Sequence, residues 1–139
     1  HALLELLCLA YLLQAGPGSL DHEIIGVQEL KSAHFFQGPH ELNIRSLIER
    51  YGNDLKGFQR AAGELGGERT DLADASYVFP AFPKVPVYYL LWEGDEEFPA
   101  RLSILFDRSI EHHLTADTIW GLVNLISDML LKGHPFRSR

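Results

Sequence analysis

Two histidines bracket two phenylalanines in the stretch Ala33-His34-Phe35-Phe36-Gln37-Gly38-Pro39-His40. A neutral imidazole is a common ligand for metal ions and for haem iron. Phenylalanines beside it would exclude water and could stack on a flat macrocycle, so His34, His40, Phe35 and Phe36 are candidate cofactor-binding residues. The same residues also read as an aromatic anchor packed on a core, with the histidines at the surface. A second pair, His112-His113, is adjacent in sequence. Neighbours in an extended chain point to opposite sides, so two such imidazoles rarely share one ion; His113 joins the candidates singly. Glu93, Asp95, Glu96 and Glu97 crowd one loop, and Asp107 follows a short way on. Paired carboxylates can do general acid–base work or hold a hard cation, and a metal-dependent hydrolase would draw on Asp95, Glu97 and Asp107. The plainer readings are a solvated loop, or a carboxylate that caps backbone groups at a strand end. No calcium-loop spacing, HExxH, glycine-rich phosphate loop or GxSxG elbow occurs, and one cysteine rules out zinc-knuckle spacing. No catalytic residue is nominated.

The elements that must position these residues centre on Val85 to Asp107. The apolar run Val85–Trp92 leads into the acidic connection, then Phe98-Pro99-Ala100, then a second run over 101–106 closed by Asp107. This pattern predicts two strands, the first buried on both faces and the second with alternating burial of Leu102, Ile104 and Phe106. Upstream, 76–79 reads as a short strand and 68–75 as a polar loop. Pro80, Pro83 and Pro86 withhold backbone donors, so Pro80 and Pro83 should break the ladder between that strand and the next. Their PxxP spacing also fits an SH3-type ligand, but large apolar neighbours favour a rigid buried connector.

The first helix is expected over Ala2–Gln14. Leu3, Leu6, Leu7, Ala10 and Leu13 recur at helical spacing, and Leu4, Leu9 and Tyr11 widen the stripe, which predicts burial on more than one side. Ala15-Gly16-Pro17-Gly18 stops it. Residues 19–32 read as a short irregular segment. Helices are expected over 41–51 and 54–65, the second capped by Asn53, as a hairpin over the sheet. A last helix is capped by Thr115 and closed by Lys132-Gly133, with 134–139 as a tail. The fold predicted is α+β: a small, mostly antiparallel sheet covered by three or four helices.

The chain has 139 residues, 46% hydrophobic and 22% charged, which fits one folded domain over 1–139. It starts at His1 inside an expected helix, so the first residues of the domain are taken as absent. Its net charge of −7 opposes binding to nucleic acid or to an anionic membrane. The opening leucine run is interrupted by Glu5 and is too short to span a bilayer. The single cysteine, Cys8, excludes an intrachain disulfide and reads as a buried, inert thiol suited to a reducing, cytoplasmic setting.

Leu91-Trp92-Glu93-Gly94-Asp95-Glu96-Glu97-Phe98-Pro99 and Leu105-Phe106-Asp107, with Glu64-Leu65-Gly66-Gly67 upstream and His113-Leu114 downstream, resemble a bacterial family of uncharacterised domains. The resemblance covers most of residues 41–131. Some members of that family stand beside iron–sulfur or corrinoid machinery, and a haem-binding role is suggested for such domains. This chain has no iron–sulfur cysteine motif, so what the resemblance implies is haem, attached through His34, His40 or His113. The function expected is a non-catalytic, metal-binding or haem-binding module. The alternatives are an accessory protein-interaction domain without a small ligand, or the hydrolase. The expected partners are a second copy in a homodimer or a redox protein.

Overall fold

The structure is a computed structural model that describes residues 2–132; the expected helix-closing Gly133 and the tail lie outside the described residues. Five strands form one sheet: β1 (Ile24–Ile25), β2 (Glu68–Thr70), β3 (Ala75–Phe82), β4 (Val85–Trp92) and β5 (Arg101–Asp107). Their spatial order is β1-β5-β4-β3-β2, and every pairing is antiparallel. Four α-helices accompany the sheet: α1 (Ala2–Gln14), α2 (Arg45–Tyr51), α3 (Leu55–Glu64) and α4 (Ala116–Lys132). The fold is therefore α+β. Among the described residues no helix is long and apolar enough to cross a membrane.

Side chains alternate across a strand, and β4 shows what that alternation accomplishes. Val85, Val87, Tyr89 and Leu91 point to one face and are wholly buried. They are aligned with Phe79 and Tyr77 of β3 and with Phe106, Ile104 and Leu102 of β5. The expectation that β4 is buried on both faces holds for only one of them. On the other, Leu90 is buried, but Pro86, Tyr88 and Trp92 are half-exposed, as are Ser103 and Leu105 of β5.

Tyr89 ties the centre of the sheet to α4. Its hydroxyl lies 3.2 Å from the Val123 carbonyl, to which it donates, and 2.8 Å from Ser127 Oγ. Burial pushes the phenol far above its ordinary range, against the opposing hydrogen bond from Ser127, so the group stays neutral. Tyr89→Phe is expected to cost about 1–2 kcal/mol by urea denaturation. Ser127→Ala should cost less, and the double variant should lose less than the sum. Strict additivity would mean the two hydroxyls do not act through each other.

Several expectations are corrected. The prolines do not end the ladder before Pro83. β3 runs to Phe82, β4 starts at Val85, and Pro80 sits opposite Pro86 with an irregularity between Pro80 and Phe82. The site tolerates proline because β2 pairs only as far as Val78 and β5 pairs with β4 only from Val87, so neither residue owes a donor to an outer strand. Part of the expected loop over 68–75 is β2, an edge strand whose polar residues suit its exposure. α2 starts at Arg45, and the chain ahead of it forms 3₁₀ turns over Ala33–Phe36 and Gly38–His40. The cap of α3 is Asp54, not Asn53: Asp54 Oδ1 accepts the Gly57 N–H at 2.9 Å.

The largest difference concerns α1. Only Leu7 is buried there, with Leu3, Leu4 and Tyr11 packed beside it and Tyr11 stacked on Phe82 at 4.4 Å. Leu6, Leu9 and Leu13, all expected inside, are exposed, and so are Leu12 and Cys8. A helix apolar on all sides gives no sequence signal for which side its own domain takes.

Candidate functional site

The candidate histidines sit on separate elements. His34, in the first 3₁₀ turn, is exposed. His40, in the second, is stacked on Phe35 at 4.2 Å and meets the edge of Trp120 at 5.2 Å. Phe36 is buried, and Phe35 packs edge-to-face against it. The cluster is thus arranged as an aromatic anchor on α4. The backbone of this segment is pinned from far away: Glu111 accepts the N–H groups of Lys31 (2.7 Å) and Ser32 (3.0 Å) and the Ser32 hydroxyl (2.8 Å).

His113 is fully buried at the end of the 3₁₀ turn Arg108–His112. Its Nδ1 accepts the Gly16 N–H at 3.2 Å, which puts the proton of the neutral ring on Nε2; that buried nitrogen has no partner. Burial, reinforced by the nearby charges of Lys84 and His112 and opposed by Asp107, pushes the imidazole below its ordinary value. Lys84 Nζ donates to the Gly16 carbonyl at 3.0 Å, so Gly16 is held through both its N–H and its carbonyl. Thr115 N–H donates to Gln14 Oε1 at 3.0 Å close by. His113 is therefore a fastening for the end of α1. This arrangement does not fit a haem ligated by the three histidines: the Gly16 N–H leaves the proton of His113 on Nε2, His40 is packed against Phe35 and Trp120, and His34 is exposed.

Two of the candidate carboxylates, Asp95 and Asp107, are engaged by donors. Asp95 Oδ1 accepts the N–H groups of Glu97 (2.8 Å) and Phe98 (2.7 Å), closing a tight turn, and the Asp95 N–H donates to the Phe98 carbonyl at 2.9 Å. Gly94 must be glycine, because a Cβ there would lie 2.8 Å from the Ala100 nitrogen. The Gly94 N–H reaches the Gly52 carbonyl at the end of α2. Arg101 lies over the Trp92 ring at 4.3 Å. The loop motif is accounted for as architecture.

Asp107 organises a second junction. Its buried carboxylate accepts the N–H groups of Asp21 (3.0 Å), His22 (2.9 Å) and Ser109 (3.0 Å) and the Ser109 hydroxyl. Burial works to raise this carboxyl, but those donors together outweigh it and hold it below the usual carboxylate range. His22 adopts a left-handed backbone, φ 59°, under this carboxylate. Among the described residues no three His, Cys, Asp or Glu side chains are grouped to hold a metal ion, so Asp95, Glu97 and Asp107 do not form the centre a metallohydrolase needs.

What the sequence reading missed is the outward face of α1. Leu6, Leu9, Leu12 and Leu13 are 62%, 53%, 75% and 77% exposed. The helix has one charged residue, Glu5. Beside the helix runs an apolar groove of about 340 Å³, walled by Cys8 with Leu65, Phe79, Phe82, Leu122 and Met129. The signal was present: Ala2, Leu6, Leu9 and Leu13 follow the four–three–four spacing of a coiled-coil seam.

One family model, described as a domain of unknown function (DUF3786), matches residues 2–129. The chain belongs to this family. The match takes in α1 as well as the sheet, so the leucine helix is part of the family's unit. No curated protein and no solved structure matches the chain.

Proposed function

We propose that this domain is a non-catalytic protein-interaction module whose contact surface is the outward leucine face of α1. The observation behind this reading is the exposure of four leucines on one helix whose opposite side already packs on its own domain. Fully burying a leucine is worth about 1.5–3 kcal/mol, so a face that keeps more than half of each in water retains a large driving force for docking. An apolar patch of this kind marks an interaction site. The absence of Lys and Arg from α1 argues for a protein surface and against an acidic bilayer.

Lysine at both Leu9 and Leu13 is expected to leave the unfolding free energy in dilute solution within about 0.5 kcal/mol. Lysine at Leu7, on the inner side, should unfold the helix. Equal damage from both would mean that the outer leucines serve the fold, and the reading would fail. Haem titration is expected to give no Soret band that depends on His34, His40 or His113. A stoichiometric band lost in His113→Ala would instead make this a haem protein.

A further inference from the structure

We infer that the end of α1 is a proton-sensitive latch: in mildly acidic solution α1 lets go of its own domain while the sheet stays closed. This does not depend on what docks on the outer leucines. The fastening is a cluster of side chains around one turn of chain. His113 Nδ1 accepts the Gly16 N–H at 3.2 Å, Lys84 Nζ donates to the Gly16 carbonyl at 3.0 Å, and Gln14 Oε1 accepts the Thr115 N–H at 3.0 Å. The fit is close: a Cβ on Gly16 would stand 2.7 Å from the His112 carbonyl oxygen. Only a neutral ring can make the Nδ1 contact, because a second proton would occupy the nitrogen that accepts. Charged, the ring would carry two N–H donors in a wholly buried site where Nε2 already has no partner. The ring must then turn out to water, and Gly16 loses its hold. Three elements bring charge to the ring. Lys84, from the turn between β3 and β4, and His112, from the 3₁₀ turn, oppose its protonation; Asp107, at the end of β5, favours it. The only charged residue of α1, Glu5, lies more than two turns from Gly16, and Asp117 of α4 accepts from the Thr115 hydroxyl.

A second fastening confines the opening to α1. Asp107 accepts the N–H groups of Asp21 and His22 and so anchors the chain just before β1. Its donors hold that carboxyl below the usual carboxylate range, so the two anchors fail in different intervals. His113 lets go as the pH falls below about 6.5, Asp107 only below about 3.9. Between them lies Gly18, at φ 111° and with open space where a Cβ would stand, a natural hinge. On the near side of that hinge little else holds the helix: Leu7 is the one residue of α1 that is buried. A free helix of 13 residues is marginal in water, so a released α1 frays. Its departure bares Leu4 and Leu7 together with Leu122, Leu125 and Ile126 of α4, which wall the same groove.

Site-resolved amide exchange at pH 7 and pH 5 tests this, with protection taken relative to the unfolded chain at each pH. The proteins are wild type and H113Q, whose amide oxygen can accept the Gly16 N–H at either pH. Wild-type protection in the second half of α1 should fall roughly 10-fold between pH 7 and pH 5. At pH 5 it should lie at least about 100-fold below that of β4, the mark of a local opening. H113Q should lose the fall. Wild-type α1 protection that does not change with pH would overturn the latch, as would a fall of equal size in H113Q. Equal protection in α1 and β4 at pH 5 would mean that the two open together, which also overturns it. A further readout needs no variant: the His113 ring resonance should titrate over the interval in which α1 loses protection, and titration over a different interval would refute the coupling.

Discussion

Asp107→Ala is expected to lower the unfolding free energy by roughly 3–4 kcal/mol, measured by denaturant unfolding at neutral pH. The carboxylate serves four donors, and two of them, the Ser109 N–H and hydroxyl, belong to a residue as buried as Asp107 itself. Removing it leaves those donors without an acceptor in a dry site. It also releases the backbone at Asp21 and His22, including the left-handed residue beneath the carboxylate. Asp107→Asn keeps one carbonyl acceptor and should recover about half the loss. The acid dependence has a definite sign. The folded carboxyl sits below its ordinary value, so the folded state holds fewer protons there than the unfolded chain. Its stabilisation is complete above the unfolded value, about 3.9, and disappears as the pH falls from there through the folded value. A variant as stable as wild type would show that the junction is held by packing alone.

His113→Ala should come next in size, at about 2–3 kcal/mol, because it empties a wholly buried site and removes the acceptor for the Gly16 N–H. His113→Gln separates the two losses, since its amide oxygen can still accept. The imidazole is held below its ordinary value, so its stabilisation is complete above about 6.5 and is lost as the pH falls from there through the folded value. The groups that face it are Lys84, His112 and Asp107; the two cations discourage its charge and the carboxylate favours it. Wild type should therefore lose stability on going from pH 7 to pH 5 more steeply than His113→Ala. Amide exchange in α1 should accelerate over the same interval in wild type alone. Parallel pH profiles would mean that the ring carries no linkage to folding.

The strands were legible where burial leaves a periodic mark. The apolar run Val85–Trp92 marks β4, whose paired core falls at Val87–Trp92 as expected, and the alternation of Leu102, Ile104 and Phe106 marks β5 to within a residue. Glu111 and Asp107 were not legible as clamps. Apart from the Ser109 N–H beside Asp107, their backbone partners stand about eighty residues away, and nothing in the local pattern of either residue announces a distant N–H. Asp95 is the contrary case: the notion that an acidic residue caps backbone groups beside the strand end could be formed because its partners are two and three residues on. His34, His40 and His113 were grouped by residue type, and type says nothing about whether a ring is wedged, solvated or bonded. Cys8 and the leucines of α1 failed for a related reason. Apolar composition measures how much a helix wants cover, not who supplies it.

The order β1-β5-β4-β3-β2 has a consequence for how the chain must be made. Strands β2 to β5 each lie beside the next in sequence, so this meander can assemble as it leaves the ribosome. β1 instead pairs with β5, and Gly16 at the end of α1 waits for His113, 97 residues later. Residues 2–25 therefore emerge long before β5 and His113 can hold them. Nascent chains arrested before Asp107 should be cut readily by protease across this segment, and chains arrested well beyond Leu114 should resist. During synthesis the leucine helix is an unclaimed strip that chaperones must shelter, and the arrival of β5 and His113 decides when it settles.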